Sequence, residues 1–177
     1  LNSVVHHLLY PGTSVAAKGV ATTISSSTIV AENPGAAIAW GPNAAGGTLV
    51  NTIAVTGEGG TCLLNEGTAL SAIQHNLLNG CTGKLYYDGL YRTQALELDF
   101  LLSGGQSGGH LFTDPFFEGT TEGNFSLASC SPAIDAGLDA SASEFGGILT
   151  DLEGQTRPYG ASHDIGAFEY TPAALGN

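Results

Sequence analysis

Thr28-Ile29-Val30 returns as Thr52-Ile53-Ala54 and, at the same interval again, as Asn76-Leu77-Leu78. One step back in this register stands Val4-Val5-His6, and two steps forward stand Phe100-Leu101-Leu102 and Asn124-Phe125-Ser126. The central position is Val5, Ile29, Ile53, Leu77, Leu101 or Phe125, large and apolar each time. At a constant offset beyond three of them stand Gly35, Gly59 and Gly83. A fixed period of this length marks a supersecondary unit that buries its apolar face against the next copy. Leucine-rich repeats share the period, but their signature is missing, and a β-solenoid fits better. Aligned aliphatic side chains then stack as ladders inside it, and the three glycines serve its corners.

The local patterns agree. Short apolar runs at 27–31, 49–55 and 95–102, broken by Gly, Asn and Pro, read as strands. Residues 69–78 have a helix-compatible composition, but their place in the register makes them strand. Asn33, Asn51, Asn65, Asn76 and Asn79 suit turns or polar ladders.

The chain has 177 residues, of which 42% are hydrophobic and only 11% charged, with 26 glycines. That length suffices for one domain with a real core, and the composition suits tightly stacked strands better than wet-faced helices. Four basic residues face sixteen acidic ones, a net charge of −12. No basic stripe exists to neutralise phosphates, so nucleic acid is excluded as a partner, and an anionic membrane surface would repel the chain. No apolar run is long enough for a membrane span. Ten of the acids lie between Asp114 and Glu169. Leu1 reads as a processed or trimmed terminus. Cys62 and Cys81 are separated by nearly one repeat, which fits a disulfide between neighbouring coils; buried free thiols are the alternative.

From Asp114 onward the pattern changes. Asp114-Pro115-Phe116-Phe117, Asn124-Phe125-Ser126-Leu127 and Ser131-Pro132-Ala133-Ile134-Asp135-Ala136-Gly137 come first. Asp151-Leu152-Glu153-Gly154, Arg157-Pro158 and Asp164-Ile165-Gly166-Ala167-Phe168-Glu169-Tyr170 follow. In order and spacing these blocks resemble the choice-of-anchor Q domain of secreted and surface bacterial proteins. Asn51-Thr52-Ile53-Ala54 and His75-Asn76-Leu77-Leu78 resemble the coils that precede it. The resemblance implies an all-β, right-handed parallel β-helix over 1–113, and the repeat gives coils of about 24 residues. An irregular capping segment over 114–177 completes one continuous domain. The resemblance also implies an extracellular or cell-surface location, and no particular activity. Within the segment, Asp135, Asp151 and Asp164 lie near Arg157. A bidentate Arg–carboxylate contact is expected to pin the terminal loops over the exposed end of the solenoid, with Pro115, Pro132 and Pro158 fixing turns.

The catalytic signals are weak. A glycosidase needs two carboxyl groups at a set separation; the candidates are Glu97 with Asp99, both projecting from one face of a strand, or Glu66 with another acid one coil away, and the first pair is the best lead. Ordinary alternation explains that pair equally well. A lyase base would come from Lys18, Lys84, Arg92, Arg157 or the five histidines, and no Asp-rich calcium cluster accompanies Lys84 or Arg92. His6 and His7 point to opposite faces and do not share a metal. Calcium ligands in the acidic segment would be Asp135, Asp139, Glu144, Asp151 and Glu153. Trp40, Tyr86, Tyr87, Tyr91 and Tyr159 are the candidates for stacking on sugar rings. Asn124-Phe125-Ser126 is a formal glycosylation sequon whose middle residue falls in the apolar ladder, which argues against modification. The expected function is a non-catalytic extracellular structural or adhesive protein. Its expected partners are further β-helix coils or copies of itself, assembling into a filament or surface layer. A carbohydrate-active or carbohydrate-binding module is the alternative.

Overall fold

The computed structural model describes residues 3–7, 13–17, 22–32, 34–43, 46–66, 70–82, 84–87, 91–92 and 107–172. The chain is all-β and built on parallel sheets. It passes through β1 (Val4–His7), β2 (Thr13–Ala17) and β3 (Thr23–Ser25), then β4 (Thr28–Ala31), β5 (Ala36–Trp40) and β6 (Thr48–Val50). Next come β7 (Ile53–Thr56), β8 (Thr61–Asn65) and β9 (Ala72–Gln74), then β10 (Leu77–Asn79), β11 (Lys84–Tyr87), β12 (Tyr91–Arg92) and β13 (Ser107–Gly108). Strands of successive passes pair in parallel. β1-β4-β7-β10 form a first sheet, β2-β5-β8-β11 a second with β12 antiparallel at its edge, and β3-β6-β9-β13 a third. A hairpin of β14 (Phe117–Gly119) and β15 (Asn124–Leu127) follows.

One apolar core serves all three sheets. The first contributes Ile29, Ala54 and Leu78, the second Ile38 and Leu63, and the third Ile24, Leu49 and Ile73, with Val5 and Val15 packed at its margin. Each set is a ladder of directly paired residues, such as Ile24↔Leu49↔Ile73. Complete burial of one such side chain contributes about 1.5–3 kcal/mol, so these ladders are the main source of cohesion between passes.

The ladder slips against the sequence expectation. Val5 pairs with Ile29, but Ile29 pairs with Ala54 rather than Ile53, because this step is longer than the one before it by a single position. Ile53 is opposite Thr28 and Leu77. Such a shift moves a side chain to the opposite face. Ile53 and Leu77 therefore leave the central core and pack outward with Leu127, Ala133 and Ile165, still with no exposed surface. The next step returns to the shorter interval, and the one after it is much longer: Leu111 bridges to Leu77 in the place expected for Leu101, which lies outside the described residues. The expected strand at 95–102 also lies outside them. Phe125 is not a rung. It sits in β15, where its ring meets His6 edge-on at 4.8 Å and Phe117 at 5.3 Å.

The runs at 49–55 and 69–78 each contain two strands divided by a corner. Ser26, Asn51 and His75 hold φ of 48°, 47° and 48° between third-sheet and first-sheet strands, and Gly109 holds 70°. Left-handed backbone costs a non-glycine residue about 1–2 kcal/mol, so the corners need compensation. It comes from the next residues, Ser27, Thr52, Asn76 and His110. The Ser3 amide donates to Ser27 Oγ, the Thr52 amide to Asn76 Oδ1 (2.9 Å) and the Asn76 amide to His110 Nδ1 (3.3 Å). Ser27 and Thr52 also donate through their hydroxyls to the carbonyls of Ser25 and Val50. Gly35 and Gly59 lie in the other corners, between first- and second-sheet strands; Gly83 is outside the described residues.

Cys62, inside the core on β8, is bonded to Cys81 just beyond β10, with Cα atoms 5.5 Å apart. The cross-link joins consecutive passes. Cys130 is free and exposed. No helix among the described residues is long and apolar enough to cross a membrane.

Candidate functional site

Residues 114–172 hold the buried Arg157–Glu169 pair, and their position departs from the expected end cap. They lie along the outer face of the first sheet and touch successive passes. Ala167 donates its amide to Thr28 Oγ1 (3.0 Å), and Gly166 donates to the Asn51 carbonyl (2.8 Å). Asn51 pairs with Leu138 twice, accepting its amide at 2.9 Å and donating to its carbonyl at 2.7 Å. His75 Nδ1 meets the Ala136 carbonyl at 2.8 Å. The corner residues thus present polar side chains that seat the segment, while Ile165, Ala133 and Leu127 cover Ile53 and Leu77. The geometry is that of a lateral clasp.

Within the clasp, Arg157 is buried and donates to Glu169 Oε1 (2.7 Å) and to the carbonyls of Asp164 (3.2 Å) and Gly166 (2.8 Å). Its carboxylate partner is therefore Glu169, not Asp135, Asp151 or Asp164, and the contact is single rather than bidentate. The aspartates instead gather main-chain amides. Asp151 accepts from Glu153, Gln155 and Glu169. Asp164 accepts from Asp135 and Tyr170, and Asp135 from Ser162. Glu169 accepts from Tyr159 and Asp164 as well as from Arg157. Loops with few ladder bonds need such acceptors, because a buried unpaired amide costs about 1–3 kcal/mol.

Burial raises the Asp164 carboxyl to about 6, against amide bonds from Tyr170 and Asp135 that favour its ionised form. Burial likewise lowers His163, whose Nε2 lies 3.4 Å from Asp139. Asp139, exposed, is lowered chiefly by hydrogen bonds from Ser141.

The other sequence candidates are dispersed. Glu97 and Asp99 lie outside the described residues. Asp135, Asp139, Glu144 and Glu153 are exposed and Asp151 is buried. Among the described residues no group of three or more His, Cys, Asp or Glu is arranged to hold a metal ion. His6 pairs with Glu32 at 2.8 Å. Trp40 is 1% exposed inside the core, so it does not offer a stacking face to a sugar; Tyr159 is 52% exposed. A groove of about 410 Å³ runs over the outer face of the second sheet, floored by Ala16, Ala39 and Leu64 and flanked by Thr13 and Glu66. Glu66 is the one carboxylate among its described lining residues. A second groove of about 460 Å³ lies between His6, Glu32 and Glu122.

Comparison with family models, with curated proteins and with solved structures returned no match. Glu169 and Asn51 escaped the sequence reading of the clasp. Glu169 stood inside a quoted block with no sign of its partner, and Asn51 read as one turn residue among five.

Proposed function

We propose that the three sheets are the walls of a right-handed parallel β-helix, and that the protein is a non-catalytic extracellular structural protein built on it. The observation that carries this reading is the single apolar core shared by three parallel sheets that the chain visits in a constant order. The right hand follows from the strong preference of parallel crossover connections. The Cys62–Cys81 bond supports an oxidising, extracellular setting. The resemblance of residues 114–170 to the choice-of-anchor Q domain supports a surface location. Further β-helix coils or other copies of the chain are the natural partners of such a scaffold, in a filament or surface layer. The clasp carboxylates serve main-chain amides, which suits structure better than acid–base work.

Two measurements test the proposal. Light scattering and electron microscopy of the purified chain at rising concentration are expected to show elongated self-associated particles. Strictly monomeric, compact particles would count against assembly. Incubation with acidic and neutral polysaccharides is expected to release neither unsaturated nor reducing ends, and release of either would replace the structural reading with an enzymatic one.

The groove over Ala16, Ala39 and Leu64 favours one second reading, carbohydrate binding without turnover. Affinity electrophoresis on immobilised polysaccharides separates it from the first: retardation that Leu64→Arg abolishes would support it, and unaltered mobility would remove it.

A further inference from the structure

We infer that Asn79-Gly80 is a spontaneous modification site, at which the folded protein converts an asparagine amide into aspartate and isoaspartate. Asn79-Gly80 is the single Asn-Gly pair of the chain. Asparagine is among the thermolabile residues, and glycine after it offers the least steric hindrance to attack by its own amide nitrogen.

Three features of the fold favour the reaction. The Asn79 side chain is turned back onto the following peptide, its Oδ1 accepting the Gly80 amide at 2.8 Å, so the side-chain amide and the attacking nitrogen are held together until base removes that proton. The pair closes β10 at the start of a corner and is only half-buried, which admits water. Glycine is obligatory at this position. Its φ is 76°, and a Cβ would collide with the Thr56 main-chain oxygen. The packing of one pass on the next therefore imposes the most labile neighbour asparagine can have.

The step balances with water alone. Solvent base takes the Gly80 amide proton, and the nitrogen attacks Asn79 Cγ. The new C–N bond closes a five-membered succinimide as the Cγ–Nδ2 bond breaks and ammonia leaves. Water then opens the ring at either carbonyl, giving aspartate or isoaspartate. The isoaspartate branch adds a methylene to the main chain, between the Asn79↔Val55 pair and disulfide-bonded Cys81. Both products add a negative charge where two passes meet.

The test is peptide mapping of the folded, disulfide-intact protein during incubation at mildly alkaline pH, beside a reduced and denatured sample. Asn79 is expected to convert before Asn43, Asn51, Asn65, Asn76 and Asn124, about ten-fold faster, which equals about 1.4 kcal/mol of barrier. Asn79→Gln is expected to abolish the acid product in that peptide, because its ring would need six members. Earlier conversion of another of these asparagines would overturn the inference. So would a folded-state rate at Asn79 more than about ten-fold below that of the denatured sample, because the fold would then be protecting the site.

Discussion

Asn51 holds the clasp and a corner at once, and its substitution separates the two roles. Its side chain is fully buried, makes two hydrogen bonds to the Leu138 main chain, and sits on left-handed backbone at φ 47°. Asn51→Gly keeps the backbone conformation and removes both bonds. Two lost bonds at about 1 kcal/mol each, plus part of the cost of leaving the Leu138 amide and carbonyl unpaired, give about 3 kcal/mol. Asn51→Ala adds left-handed strain of about 1 kcal/mol, for about 4 kcal/mol. Amide hydrogen exchange read at Leu138 and at the core strands distinguishes local from global loss. Protection at Leu138 is expected to fall about a hundred-fold in Asn51→Gly and further in Asn51→Ala. Exchange at Ile24, Leu49 and Ile73 should change much less. Equal protection in both variants and the parent, or a larger loss in Asn51→Gly than in Asn51→Ala, would refute the reasoning.

Removal of one member of the Arg157–Glu169 pair, as Arg157→Met or Glu169→Gln, should cost about 3–5 kcal/mol in urea unfolding, and the double change less than their sum. Asp164 titrates at about 6 in the fold against 3.8 unfolded, so its stabilising contribution is complete below pH 3.8 and is lost as pH rises to about 6. Subtracting the melting profile of Asp164→Asn from that of the parent should expose this decline between those limits, and parallel profiles would contradict it. Replacing Cys62 and Cys81 by serine reopens the loop between them and should cost about 3 kcal/mol in the same unfolding assay. Thiol titration should find one reactive cysteine in the parent before reduction and three after reduction and unfolding.

The apolar runs were legible because parallel stacking demands like residues at like positions. Their phase was not. A strictly constant interval aligns Ile29 with Ile53, and both are bulky, so nothing in their chemistry shows that one faces inward and the other outward. The cue lies one corner upstream. Ser26-Ser27-Thr28-Ile29, Asn51-Thr52-Ile53-Ala54 and His75-Asn76-Leu77-Leu78 align when the left-handed residue anchors each, and the first step is then the longer of the two. A left-handed serine or histidine has no strong sequence signature, whereas Gly109 at the fourth corner has one. The cysteine pair was half-legible, since a separation near one repeat places two residues on adjacent passes. Arg157 drew notice as the one late basic residue among several acids. Its partner depended on chain reversals that block order alone does not reveal.

The clasp also fixes an order of events. Ala167 meets Thr28 from the far end of the described chain, and Phe125 meets His6 of the first strand. A nascent chain therefore completes Ile53 and Leu77 long before Ile165 emerges to shelter them. During that interval a greasy parallel surface faces its surroundings, the condition under which elongating β-proteins self-adhere and enlist chaperones. Synthesis that stalls between Leu77 and Ile165 would leave the chain at its stickiest, and the arrival of Ile165 ends the hazard.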